Sequence, residues 1–214
     1  MTIHDSVLQD LAPLPYHVLR TQIRDGDLML CSAHDLGSRA IRWATRSIWS
    51  DVAIAFRLEA LDRVLVLEAV QKIGVRAVPL SDFIARTSSG THPYPGRIVI
   101  ARHRDAARAA DGVGLMPQMQ RFAFDRLGAK FSNTENVKIA LRIALGRLAR
   151  RMPDHLAADD GYICSEYVAG CYESVGLHIH WDGRGFIAPS NIARDPNVEA
   201  VAQIRTEDIK GHRR

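Results

Sequence analysis

The chain reads as an α+β domain, and three observations carry that reading. Strand patterns fill the first half and helical patterns the second, without the alternation of a parallel α/β fold. The 214 residues, 47% of them hydrophobic, suffice for one sizeable core. The cysteines are three, Cys31, Cys164 and Cys171, an odd number without framework spacing, so packing and not a disulfide net is expected to hold the fold. A single domain over 1–214 is expected, with a helical insertion over about 104–152 and frayed ends at about 1–15 and 208–214.

The elements follow in order. Asp25-Gly26 is a turn signal, and Asp27–Cys31 is a short buried strand. Asp35–Arg46 predicts an amphipathic helix with Leu36, Ala40, Trp43 and Ala44 on its inner face and Arg39, Arg42 and Arg46 mostly outside. Asp51–Arg57 alternates as a strand, with Val52, Ile54 and Phe56 on one side. Arg63–Val70 is apolar enough for a strand covered on both faces. Gly74–Val78 pairs with it as a hairpin through 71–73, Ser81 caps a short helix to Ile84, and Arg97–Arg102 is a further strand. Asp105–Leu127 holds one helix or two, with the break at Gly112, Gly114 and Pro117. Thr134–Arg150 is a basic helix ended by Met152-Pro153. A helix from Cys164 to about Val175, stopped by Gly176, precedes a Trp181–Gly185 loop and a tail opening at Pro189.

Several function classes recede on composition. The formal charge of +4 is spread along the chain, so no nucleic-acid partner is expected. The N-terminus carries acids and two prolines and does not read as a signal peptide, and no run reaches the ~20 apolar residues of a membrane span. A cytoplasmic protein is the expectation. The basic helix 134–150 could touch a membrane surface, but a solvated face on a packed helix explains it better.

The chemistry-bearing feature is Cys164. It stands in the first turn of its helix, where unpaired N–H groups and the helix dipole favour a thiolate. It also shares a face with Val168, Cys171 and Val175, so a packed core thiol is the competing reading. Cys171, mid-helix among apolar neighbours, reads as core. Glu68 shares a strand face with Val64, Val66 and Val70, so it must be paired or neutral; a structural arginine or a functional role satisfies that equally. Trp49, Tyr162 and Trp181 are candidate groove walls, and His178 and His180 fall on one side of an extended segment.

Four stretches together resemble the YiiX/YebB-like hydrolases, circularly permuted papain-like cysteine hydrolases of the NlpC superfamily. They are DGDLMLCSAHDLGSRAIRWATRSIWSDVAIAF, VLEAVQKIGVRAVPLSDFI, GYICSEYVAGCYESVGL and IAPSNIARDP, in the family's order, with the weakest match at about 103–155. The resemblance implies a permuted papain-like fold, a small antiparallel sheet packed against helices. It implies Cys164 as nucleophile and Glu68 as the orienting carboxylate. The family's histidine falls in IWSDVAIAF, where the pattern Trp-Ser-His-Val is here Trp-Ser-Asp-Val, so Asp51 occupies its position. An ordinary Asp lies roughly 4–5 pH units below a thiol and cannot become a cation beside a thiolate. His34, after the first strand, is the candidate substitute base, against a plain loop role.

The implied activity is cleavage of an amide (peptide or isopeptide) or ester bond through a Cys164 acyl-enzyme, with backbone N–H groups holding the oxyanion. The alternative is an impaired relative that binds a peptide or lipid-like ligand in the same groove. No cofactor is implied. A metal held by Asp51, Glu68, Cys164 and His34 lacks any zinc-type spacing, so no metal is expected.

Overall fold

In a computed structural model, residues 3, 8, 11–71, 73–85, 93–110, 114–130, 163–181 and 187–206 are described. Their strands are β1 (Pro13–Leu14), β2 (Asp27–Ala33), β3 (Asp51–Leu58), β4 (Arg63–Val70), β5 (Gly74–Pro79), β6 (Gly96–His103) and β7 (Val198–Ile204). Their helices are α1 (Tyr16–Leu19), α2 (Leu36–Thr45), α3 (Leu80–Ala85), α4 (Arg104–Ala110), α5 (Leu115–Phe124), α6 (Cys164–Glu173) and α7 (Pro189–Arg194). The predicted helix at 134–150, Tyr162 and most of the loop after Trp181 lie outside the described residues.

One sheet orders the strands β1-β7-β6-β2-β3-β4-β5. Every pairing is antiparallel except β1 with β7, where Pro13 and Leu14 run parallel to Gln203 and Ile204. The segment expected to fray at the start of the chain is therefore tied down at 13–14. The tail beyond Pro189 supplies α7 and a full strand, which the sequence patterns did not reveal.

Alternation along the strands builds two cores. Leu28, Leu30, Val52, Ile54, Phe56 and Leu67 face α5 and α6, meeting Met119, Tyr167, Val168 and Cys171. Met29, Cys31, Ala53, Ala55, Val64 and Val66 face the other way, onto Leu80, Phe83 and Ile84 of α3. This two-sided cover explains why β4 reads as a near-continuous apolar run. The described parts of the expected insertion, 104–110 and 114–130, put Met116, Met119 and Ala123 into the main core. Its break falls at Gly114, which precedes α5, while Pro117 sits in that helix's first turn, where it lacks no intrahelical bond.

Helix α6 is the central element of the first core. Its Tyr167 hydroxyl donates to Ala123 O at 2.9 Å, and Tyr172 to Gly26 O at 2.6 Å, so both buried rings keep their polar ends paired. Gly176, at φ 76°, turns the chain out of the helix, and Leu177 N–H closes back on Tyr172 O at 3.0 Å. Cys171 is fully buried, as core packing required.

Two expectations are corrected. Trp49 is no groove wall: it is buried, with its indole N–H on Ile3 O at 3.0 Å. In α2 the inner stripe is Ile41, Ala44 and Thr45, while Leu36 and Trp43 stand 82% and 78% exposed. Periodicity names residues that share a stripe, but the partner decides which stripe is covered. Here Ile163 and Ala188 receive Ile41 and Ala44, which turns the Leu36–Trp43 stripe outward. Among the described residues no helix is long and apolar enough to cross a membrane.

Candidate active site

Cys164 is the first residue of α6, after Ile163, whose extended backbone (φ −97°, ψ 160°) lets the helix begin there. Ile163 packs on Ile41, Ala44 and Ala188, and Ser165 Oγ donates to Ile187 O at 2.7 Å. Helix α2 and the segment leading into α7 therefore hold the start of the cysteine helix. The Cys164 side chain is partly buried and free of any disulfide.

Asp51 opens β3 and reaches the thiol. Its carboxylate and the Cys164 thiol share a hydrogen bond, and it also accepts from Val52 N–H at 2.8 Å. The position at which the family pattern has histidine is thus brought to the cysteine. Burial lifts the Asp51 carboxyl most; the thiol hydrogen bond lowers it, the Glu68 charge raises it, and the result lies at about 7. Burial pushes the Cys164 thiol well above its ordinary range, and the Asp51 charge pushes it the same way. The N–H groups of Val52 and Ser165 oppose that rise at the sulfur without reversing it.

Glu68 is buried on the β4 face that Val64 and Val66 share, and Arg76 stands opposite it on β5. The guanidinium meets one carboxylate oxygen at 2.8 Å from Nε and 2.6 Å from Nη2. Burial raises the Glu68 carboxyl, and the Arg76 charge opposes this. Glu68 acts on Asp51 through its charge. His34 is exposed in the turn between β2 and α2, with its N–H on Pro95 O at 3.1 Å. Among the described residues its ring makes no hydrogen bond to Cys164 or Asp51.

Two neighbours were not foreseen. Cys31 is the β2 partner of Asp51, fully buried, and its thiol is raised by burial and then by the Asp51 charge. The Tyr94 hydroxyl hydrogen-bonds that thiol from behind. The strand patterns for β2 and β3 carried both elements, but their register, which sets Cys31 against Asp51, had no local signal. His178 and His180 flank buried Ile179 and are exposed; His180 Nδ1 lies 3.2 Å from the buried Asp195 carboxylate. Among the described residues no group of three His, Cys, Asp or Glu side chains is placed to hold a metal ion.

A cysteine at the N-terminus of a helix laid against an antiparallel sheet is the layout of a papain-like fold. Here that helix follows β1 to β6 instead of preceding them, and only β7 comes after it among the described strands, so the order is permuted. The chain belongs to the family described as permuted papain-like amidase enzyme, YaeF/YiiX, C92, whose model matches residues 22–202. A solved structure titled metalloprotein yiiX from Escherichia coli O157:H7, DUF1105, is similar at a TM-score of 0.58 and 18% identity, over 85% of this chain and 98% of that one. At that identity the likeness concerns the fold. A search of curated proteins gives no match.

Proposed function

We propose that this chain is a thiol amidase that uses Asp51, instead of histidine, as its general base. The observation that carries the reading is the Asp51–Cys164 hydrogen bond at the start of α6. A base serves best when its pKa lies near the working pH, and burial has moved Asp51 to about 7. Burial raises the Cys164 thiol as well, so the carboxylate is made a stronger base while the thiol is made a weaker acid.

In the proposed reaction the Cys164 sulfur attacks the carbonyl carbon of an amide, and the thiol proton passes to the Asp51 carboxylate. The oxyanion is held by N–H groups at the helix start. The tetrahedral species collapses, the C–N bond breaks, and Asp51 returns the proton to the leaving amine. Water then attacks the thioester, giving its proton to Asp51. The carboxylic acid leaves, and the sulfur takes a proton back to re-form the thiol. Glu68, locked by Arg76, raises the basicity of Asp51 through its charge and is a positioning residue in this scheme. Substrates are of the peptide or isopeptide amide class, with esters as easier surrogates.

The test is acylation of the full chain by a p-nitrophenyl ester, followed by intact mass and peptide mapping across pH. One acyl group on Cys164, at a rate rising through about pH 7 and lost in Asp51→Asn, is expected. The second reading, a ligand-binding relative without turnover, is favoured by the raised Cys164 thiol. It predicts no acylation in the present sequence but acylation in Asp51→His, and that pair of results would sink the carboxylate-base proposal.

A further inference from the structure

Helix α2 carries a surface that the amidase chemistry does not use. Leu36 and Trp43 are 82% and 78% exposed, more than Leu61 at 66% or Ile73 at 55%. Single exposed apolar residues need no explanation. These two are seven residues apart, and so lie on one stripe of one helix. Arg39, exposed, lies between them in sequence, and Arg46, exposed, follows at the end of the helix. Arg42 turns its Nη1 toward Ser32 Oγ at 3.3 Å. Exposed Arg194 of α7 reaches the carbonyls of Thr45 and Arg46, both at 3.4 Å, adding a cation at the same end. The one acid on the element, Asp35, has its oxygens on Ser38 N–H and Ser38 Oγ at 3.0 and 2.6 Å.

We propose that this face of α2, Leu36 and Trp43 flanked by Arg39, Arg46 and Arg194, docks the protein on an anionic lipid bilayer. The charge selects the occupant. A tryptophan and a leucine on one stripe suit the boundary between headgroups and acyl chains, and arginines on the same helix meet the negative headgroups. The opposite face of α2 packs on Ile163, the residue before Cys164. Docking by the outer face therefore leaves that contact, and the start of the cysteine helix, on the protein side of α2.

The experiment is co-sedimentation of the full chain with vesicles of phosphatidylcholine alone and of phosphatidylcholine with phosphatidylglycerol. Binding to the anionic vesicles only, weakened by salt and accompanied by a blue shift of tryptophan emission, is expected. Arg39→Gln and Arg46→Gln should each weaken partitioning roughly fivefold, the equivalent of about 1 kcal/mol per cation at an anionic surface. Leu36→Ala with Trp43→Ala should abolish sedimentation, whereas Trp43→Phe should keep binding and lose most of the blue shift, since Trp49 is buried and Trp181 lies off α2. Unchanged thermal melts of these exposed-site variants exclude misfolding as the cause. Absence of binding to the anionic vesicles overturns the proposal, and so does binding that the arginine and apolar variants leave intact. Self-association of the free chain that Trp43→Ala removes would reassign the face to a second copy and equally overturn it.

Discussion

Replacing Asp51 by Asn should change stability by an amount that depends on pH. The Asp51 carboxyl titrates at about 7 in the fold, against an ordinary 3.8. Between those values the unfolded chain has lost the proton and the folded one keeps it. The folded state then binds more protons, so stability falls as pH rises through this window and levels off above it. Each pH unit is worth about 1.36 kcal/mol, which makes roughly 4 kcal/mol for the whole interval as an upper value. Asparagine carries no such charge. At about pH 4 the variant and the parent should differ little, apart from the altered hydrogen bond to Cys164. By about pH 8 the variant should be the more stable by some 2–4 kcal/mol. Asp25 and Asp27 are also raised and add the same slope to both proteins, so the difference between the two reports Asp51 together with the Glu68 charge coupled to it. Urea unfolding of both chains at pH steps from about 4 to 9 measures it. A stability difference that stays flat with pH would show that Asp51 ionises normally in the fold, and the general-base argument would go with it.

The Asp51→His variant should alkylate at Cys164 with iodoacetamide at lower pH than the parent, whose thiol is held above its ordinary range by burial and the Asp51 charge, because an imidazolium favours the thiolate that a carboxylate disfavours; identical pH profiles would contradict this. Cys31 and Cys171, both fully buried, should stay unlabelled in either native protein, as peptide mapping can check. Removing the thiol in Cys164→Ala deletes a hydrogen bond that lowers the Asp51 pKa, so the Asp51 carboxyl should titrate above 7, followed by infrared carboxylate bands; a fall would refute the assigned contact. Asp27 takes two bonds from Arg102 at 2.7 Å and one from Arg24 N–H at 2.9 Å while almost wholly buried. Asp27→Ala should cost about 3 kcal/mol, seen as a lower urea midpoint, because it strands a guanidinium that is largely shielded from water.

Much of this architecture is legible before folding. Alternating Val52, Ile54 and Phe56 marks one face of β3, and those side chains are the ones that meet α6. The apolar run of β4 announces a strand covered on both sides, and Gly176 announces the end of the cysteine helix. Such signals are local: they depend on side-chain period and on the backbone freedom of single residues. The cysteine's place at a helix start and the acids at 51 and 68 belong to the same level.

Other features depend on distances between segments far apart in the chain. Glu68 reads equally as a structural or a functional acid until β5 sets Arg76 against it. Cys31 has no visible tie to the site until β2 and β3 pair in the register that places it beside Asp51. The stripe of α2 that faces inward is chosen by Ile163 and Ala188, residues more than a hundred positions away. Asp51 shows the division most sharply. Its identity in the chain marks it as a weak base for a thiol, at an ordinary 3.8, yet burial beside Glu68 moves it to about 7. Residue type sets the intrinsic proton affinity, which is a property of one side chain. Desolvation and neighbouring charge set the affinity in place, and these exist once distant segments have closed around the carboxylate.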